Sequence, residues 1–224
     1  MRKLSIKEII DFRKKSDTSK KTFALNINIE KEKNDLDGGG DYWVSCLSTI
    51  SNSFKCNDNS LILDKIHELE DKFEQTEYKR TKDMYKRNIE ILYKFETFDF
   101  SKWIPTNEFK IIKKYKSNFI LDINGLQVQA IPQHVFTFKN DNEEIGAIWF
   151  IAKLEGYSQT ELAMFTDILY RYLNTNFSKN YRINPDYCIA VDVVKVEDLS
   201  YSKIIKEGIF LMLDSTVKEI KKLM

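Results

Sequence analysis

The chain has 224 residues, of which 42% are hydrophobic and 31% are charged. This composition is typical of a globular protein and excludes a long disordered chain, and the length fits one large domain with its own core. The formal net charge is only +1, so no global field attracts the protein to nucleic acid or to a membrane. Any such attraction must be local.

The cysteines and the apolar segments indicate a cellular compartment. Cys46, Cys56 and Cys188 form no even disulfide framework and include no pair at metal-ligand spacing. The first 15 residues carry scattered charges and no apolar run, so they predict neither a signal peptide nor a membrane anchor. No segment approaches the roughly 20 apolar residues that span a bilayer. We therefore expect a protein of the reducing cytoplasm with no membrane contact.

The first elements of the chain are a predicted helix and strand. Ser5 and Glu8 have the spacing of a capping box, which predicts a short helix after Ser5. Residues 22–30 alternate between apolar and polar side chains, which predicts a half-buried strand at a sheet edge. Such an edge is able to pair with a second copy, so a homodimer is one possible assembly.

A polar loop with Gly38, Gly39 and Gly40 among three aspartates follows. A calcium loop, an anion-binding nest and a plain turn are the interpretations open to it. We favour a turn in which Asp41 caps the next helix, because the loop lacks the spacing of a calcium site and its carboxylates repel phosphate.

Two long helices are predicted next. Ser60 is the expected cap of the first, in which Ile62, Ile66 and Leu69 recur at helical spacing. The second is predicted at residues 78–96. The short break between them favours an antiparallel pair packed on a sheet.

Residues 117–197 predict that sheet, in the order strand, strand, strand, helix, strand. The strands are predicted at 119–131, with a bend at Gly125, and at 135–139, 145–154 and 187–196, and the helix at 158–177 after a Ser158–Glu161 capping box. A final amphipathic helix is predicted over 205–223. The helical connection favours parallel strands on its two sides, whereas the hairpin before it is antiparallel. We therefore expect an α/β fold: a mixed four-stranded sheet flanked by helices, with an N-terminal helix–strand unit and a helical pair.

This order of elements resembles the core of the PD-(D/E)xK superfamily, the restriction-endonuclease-like nucleases. The segments GLQVQAIPQHVFTFK, EIGAIWFIAKL, ELAMFTDILYRYL and NPDYCIAVDVV are also similar to a family of uncharacterised bacterial proteins within that superfamily. The resemblance covers residues 78–196. It implies a single domain, 1–224, in which a nuclease-like core at 78–196 carries an N-terminal appendage at 1–77.

The residues of the nuclease motif are mostly replaced. In the superfamily, an Asp after a proline and the Glu of ExK hold a divalent metal, and the Lys helps to position the attacking water. Carried over, the Asp position is Gln133, the Glu position is Ile151, and only Lys153 matches. Mg²⁺ prefers hard oxygen ligands, so an amide and a hydrocarbon cannot hold it. Pairing Phe138 with Ile145 places Gln133 opposite Phe150 and brings Lys153 to the same sheet end.

Replacement carboxylates are the alternative. Glu155 is expected on the same strand face as Lys153, Glu161 opens the following helix, and Asp122 lies on the first predicted strand. If these carboxylates have migrated into the site, an active Mg²⁺-dependent nuclease is possible; otherwise we expect no cofactor. Lys153, Glu155 and Glu161 are therefore the candidate catalytic residues.

The favoured hypothesis is a pseudo-nuclease that binds nucleic acid or a protein partner. Gln133 and His134 lie at the degenerate site and are candidate binding residues. Lys113 and Lys114 belong to a basic stretch interleaved with aromatic residues, which is typical of phosphate-backbone contact. Basic residues also recur along the helix predicted at 78–96. A purely structural protein that forms a homo-oligomer is the third hypothesis.

Overall fold

The structure is a computed structural model that describes residues 2–29, 42–112, 119–139 and 142–224. Within these ranges the helices are α1 (Ile6–Arg13), α2 (Asp17–Leu25), α3 (Val44–Cys56), α4 (Ser60–Gln75), α5 (Lys79–Phe95), α6 (Gln159–Phe177), α7 (Tyr201–Glu207) and α8 (Leu213–Leu223). The strands are β1 (Leu4–Ser5), β2 (Lys110–Ile111), β3 (Ile120–Ile123), β4 (Leu126–Gln129), β5 (His134–Lys139), β6 (Glu143–Ile151), β7 (Arg182–Asp192) and β8 (Glu197–Ser200). The α/β class is confirmed.

Two mixed sheets replace the single four-stranded sheet expected from the sequence. The larger has five strands in the order β2-β5-β6-β7-β8, and the smaller has three in the order β1-β4-β3. As predicted, β5 and β6 are antiparallel, and α6 connects β6 to a parallel β7. Strand β8 then pairs antiparallel with β7 and extends the larger sheet beyond the expected edge.

The segment predicted as the first strand of the main sheet is a hairpin of the smaller sheet. Asn124 and Gly125 both have positive φ, 51° and 82°, so the chain reverses there and β3 pairs with β4. The Asp122 carboxylate accepts a hydrogen bond from the Gly125 amide at 2.7 Å and closes the turn. An Asn-Gly pair between alternating apolar residues favours this reversal, so a strand with a mere bend was the wrong prediction.

Residues 22–28 are helical, and the described part of the predicted edge strand, 22–29, contains no strand. Ser16 caps α2 by accepting from the Ser19 amide, and a 3₁₀ turn, Asn26–Asn28, follows the helix. Ala24 and Ile27 are fully buried, whereas Leu25 and Ile29 are each 58% exposed. Burial therefore follows helical spacing rather than alternation, and dimerisation through an edge strand at 22–29 loses its basis.

Most of the predicted helix ends are close to the observed ones. Capping boxes at Ser5 and Ser158 open α1 and α6 as expected. Ser60 is the first residue of α4 rather than its cap; its amide donates to the Asp58 carboxylate at 2.9 Å.

The antiparallel partners α4 and α5 are also present, and the Tyr93 hydroxyl of α5 donates to Glu70 of α4 at 2.7 Å. The loop with Gly38–Gly40 and Asp41 lies outside the described residues; α3 begins after Trp43 without a side-chain cap.

The C-terminal part differs in two details. Residues 184–186, just before the strand predicted at 187–196, form an irregularity inside β7: Ile145 pairs with Ile183, and the next pair is Ala147 with Cys188. The predicted final helix is two helices, because Gly208 adopts a left-handed conformation (φ 63°) and ends α7.

Each face of the larger sheet is covered by its own core. One core joins α3, α4 and α5 to the sheet and is rich in aromatic side chains such as Phe54, Phe95, Trp103 and Phe150. The other joins α1, α6, α8 and the smaller sheet and is mainly aliphatic. At the irregularity between β6 and its parallel neighbour β7 the backbones are close: a Cβ on Gly146 would lie 2.7 Å from the Tyr187 carbonyl oxygen.

Candidate functional site

Gln133, which the resemblance aligns with the nuclease aspartate, continues the sheet with its side chain. Its amide nitrogen donates to the Phe150 carbonyl at 2.9 Å, and its amide oxygen accepts from the Phe150 N–H at 2.8 Å. The predicted contact between these residues is present, although the register is shifted by one, with Phe138 paired to Glu144. A carboxylate can accept a hydrogen bond but cannot donate one, so an acidic residue would lose half of this arrangement. Gln133 holds the end of the sheet together.

Ile151 and Glu155 do not share a strand face with Lys153. The strand ends at Ile151, which is 2% exposed, so the alternation of side chains stops before Lys153. The Gly156 amide then donates to the Lys153 carbonyl at 2.8 Å, which closes a turn. Glu155 lies exposed in that turn with a φ of 69°. The prediction that Ile151, Lys153 and Glu155 line one strand face is wrong, and within the described residues no ion pair joins Glu155 to Lys153.

Lys153 does lie near the other candidate carboxylate, Glu161. Its Nζ is 3.6 Å from Oε1 of Glu161, and the ammonium of Lys14 contacts the same oxygen. The second oxygen, Oε2, accepts from the Ser158 amide at 2.9 Å in the capping box. Burial and then the neighbouring Lys14 lower the pKa of Lys153. Burial alone would raise the pKa of Glu161, but its contacts with Lys14, Ser158 and Lys153 together lower it.

Asp192 is a carboxylate of this sheet end that the sequence motif does not identify. It ends β7, is fully buried, and accepts from the amides of Tyr157 at 2.6 Å and Val194 at 2.9 Å. Lys195 Nζ donates to the Tyr157 carbonyl at 2.6 Å beside it. Burial raises the pKa of Asp192, although the backbone amides oppose the shift. In the sequence, Asp192 is recognisable as a lone aspartate at the end of an apolar strand. In the structure, its two hydrogen bonds hold the segments that contain Tyr157 and Val194 in place.

His134 is likewise occupied by the fold. Its Nε2 lies 2.7 Å from the Ser51 hydroxyl and 3.0 Å from the Ser51 carbonyl, and Phe54 stacks on its ring. Burial lowers its pKa. The residue therefore joins α3 to β5. Lys113 and Lys114, the other binding candidates, lie outside the described residues.

Metal ligands do not converge in the part of the chain that the structure describes. No group of three or more His, Cys, Asp or Glu side chains is placed to hold an ion there. Asp122, one of the possible replacements, is engaged in the β3–β4 turn of the smaller sheet. Cys46 and Cys188 are buried thiols, and burial raises the pKa of Cys46 to about 12. Among the helices described, none has the length and apolar character needed to cross a membrane.

Helix α5 is a strongly basic surface element. It carries six basic and two acidic residues, whereas the whole chain has a net charge of +1. Lys79, Arg80 and Lys86 are exposed, and the Lys86 ammonium lies 4.0 Å from the exposed Glu90 carboxylate. Other basic residues of the helix have local partners: Arg87 donates to the Tyr42 hydroxyl at 2.7 Å, and Lys82 lies over the Phe73 ring. The positive charge is therefore concentrated on this helix, and its exposed side chains are able to interact with an anion.

Comparison with known proteins returns no relative: no family model, no curated protein and no solved structure matches this chain. The likeness to the PD-(D/E)xK nucleases stays a prediction that depends on the order of elements and on Lys153.

Proposed function

We propose that the protein is a non-catalytic binding protein with a PD-(D/E)xK-like core, and that it binds the phosphate backbone of a nucleic acid through α5. The observation that carries the non-catalytic part is the pair of hydrogen bonds between the Gln133 amide and the Phe150 backbone. The side chain that would hold the metal in a nuclease instead completes a sheet.

The nearby carboxylates support the same conclusion. Glu161 is shared between two lysines and a capping box, and Asp192 accepts two backbone amides. A divalent cation would have to displace these partners, and two hard anionic ligands would have to converge on it. A nuclease with migrated carboxylates therefore lacks a ready site at the Lys153 end of the sheet.

The proposal that the ligand is a nucleic acid depends on the positive charge of α5. Lysines and arginines that neutralise phosphates release counterions, which makes binding favourable at low salt without any base contact. On α5, Lys79, Arg80 and Lys86 are exposed, and Tyr78 beside them is 79% exposed and available for stacking on a base.

Charge reversal on α5 tests the binding part. We expect the triple variant Lys79→Glu, Arg80→Glu, Lys86→Glu to lose about tenfold or more in affinity for a 20-nucleotide single strand or a 20-base-pair duplex, with a shallower salt dependence. The measurement is fluorescence anisotropy at two salt concentrations. The matched control reverses three exposed cations elsewhere, Lys179, Lys203 and Lys206, and should bind like the parent. Equal losses in both variants, or no binding to either nucleic acid, would contradict this choice and favour a protein partner.

A cleavage assay with Mg²⁺ or Mn²⁺ tests the non-catalytic part separately. We expect no cleavage of either nucleic acid by the parent protein. Cleavage that disappears in Lys153→Ala would show that the carboxylates have migrated and that the protein is an enzyme.

A further inference from the structure

A cleft of about 580 Å³ lies between α6, β3 and the start of α7. Its polar and aromatic lining includes Asp122, Asp167, Tyr170, Arg171, Asn174 and Tyr201. The volume is within the range that small organic ligands occupy in proteins. This cleft lies on the aliphatic side of the larger sheet, whereas α5 packs on the aromatic side.

The deepest charged group of the cleft is Asp167, which is 1% exposed. Its Oδ1 accepts from the Arg171 Nε at 3.0 Å. Its Oδ2 is buried and has no hydrogen-bond partner among the described residues. Buried polar atoms in native proteins are almost always satisfied, so this oxygen favours a donor supplied from outside the chain.

Among the described lining residues, Arg171 is the cationic side chain, and it is already paired. Its two terminal nitrogens donate to the two oxygens of Asp214, at 3.0 and 2.5 Å. Asp214 thus balances the guanidinium, and the described lining also contains the carboxylates of Asp122 and Asp167. The charge of these residues together is negative, which favours a cation over an anion.

An aromatic surface adjoins the carboxylate. The rings of Tyr170 and Tyr201 stack in parallel with their centroids 3.8 Å apart, and both are partly exposed. Such a pair offers a flat apolar surface for a ligand body, and the face of a tyrosine ring attracts a nearby cation.

We propose that this cleft binds a small organic cation: a protonated amine that donates to Oδ2 of Asp167, attached to a flat apolar body that lies against Tyr170 and Tyr201. The proposal is independent of the function assigned to α5. It assigns Asp167 the role of ligand anchor.

The test uses phenethylamine as the probe and benzyl alcohol as a neutral molecule of similar shape. In ¹⁵N-edited NMR titrations of the full chain, phenethylamine should shift the signals of the Arg171 Nε–H and the Asn174 amide group. Benzyl alcohol should shift them at least about tenfold less at equal concentration, because it lacks the charge-assisted hydrogen bond. Asp167→Asn keeps the shape of the side chain and its acceptor for Arg171, and should weaken phenethylamine binding about tenfold or more.

Asp64→Asn, an exposed change of the same kind on α4, is the matched control and should bind as the parent does. If Asp167→Asn fails to fold, Thr175→Trp replaces it: this exposed residue at the cleft should block the site and abolish the shifts. Undiminished binding by the folded variants, equal binding of the neutral probe, or no shift in the parent at millimolar amine would overturn the proposal.

Discussion

The Lys153 end of the larger sheet and the cleft beside α6 both contain buried carboxylates, but they differ in how these groups are satisfied. At the sheet end, Asp192 uses both oxygens to accept backbone amides, and Glu161 uses one for a cap and one for two lysines. In the cleft, Asp167 uses one oxygen and leaves the other without a partner. In the first region each of these carboxylate oxygens has an amide or an ammonium group beside it, whereas in the second one oxygen has no hydrogen-bond partner among the described residues.

This difference shows why a resemblance in sequence pattern is a poor indication of where a ligand binds. The resemblance would place a nuclease site at the sheet end, yet the polar atoms there stabilise the chain itself. The cleft has no place in the nuclease pattern, and it is there that a buried carboxylate oxygen lacks a donor. A buried polar atom without a hydrogen-bond partner is a better indication of a binding site here than the position of a motif.

The largest expected effect is a difference between two matched substitutions. Asp192→Asn should lower the free energy of unfolding by about 3 kcal/mol, because one of two backbone amides loses its acceptor and faces an NH₂ group instead. Asp167→Asn should lower it by less, about 1 kcal/mol, because the oxygen that becomes nitrogen had no partner and only the charge of the bond to Arg171 is lost. Urea unfolding at pH 7 measures both. Similar losses of unfolding free energy in the two variants would contradict the inferred difference between the two regions.

Gln133→Glu should have an intermediate effect, a loss of about 2 kcal/mol in the free energy of unfolding. The carboxylate keeps the bond from the Phe150 N–H but places a negative oxygen against the Phe150 carbonyl, where the amide nitrogen had donated at 2.9 Å. Gln75→Glu, at an exposed position that ends α4, is the control and should change stability by less than about 0.5 kcal/mol. A variant as stable as the parent would mean that Gln133 does not hold the sheet end.

Glu161→Gln should have the smallest effect, about 1 kcal/mol at pH 7, because the amide retains the capping box and loses only the attraction to two lysines. The pKa of Glu161 is lowered in the folded protein, so its contribution is present above the unfolded pKa of about 4.3 and is lost as pH falls through the folded value. Between pH 7 and pH 3, the stability of the variant should therefore fall less than that of the parent. Thermal unfolding across this range measures the slope, and Glu74→Gln, at an exposed position of α4, should leave it unchanged.

The sequence predicts those elements whose signal is local. The capping boxes at Ser5 and Ser158, the long helix α6 and the parallel connection from β6 to β7 follow from short hydrogen-bond patterns and from hydrophobic spacing. The strand expected at residues 22–29 is a wrong prediction because four alternating apolar residues fit either period; Ser16 as a helix cap is the signal that separates them. The Asn124-Gly125 pair is likewise a local signal for a hairpin turn, in place of one strand that continues with a bend.

The candidate site was less predictable, because its roles depend on contacts between distant segments. Pairing the hairpin strands predicts that Gln133 meets Phe150, but not that its amide bonds to the backbone there. Glu155 leaves the expected face because the strand ends four residues before it. Asp167 lies between apolar residues of α6, and its missing hydrogen bond is visible only once β3 and α7 are packed around it.

Gly146 has a consequence for how closely two neighbouring strands can approach. Any side chain at this position would collide with the Tyr187 backbone and with the Phe136 ring, both within 3.0 Å of the added carbon. Even a methyl group would require one of these neighbours to move, so the close approach of β6 and β7 at this point depends on the missing side chain.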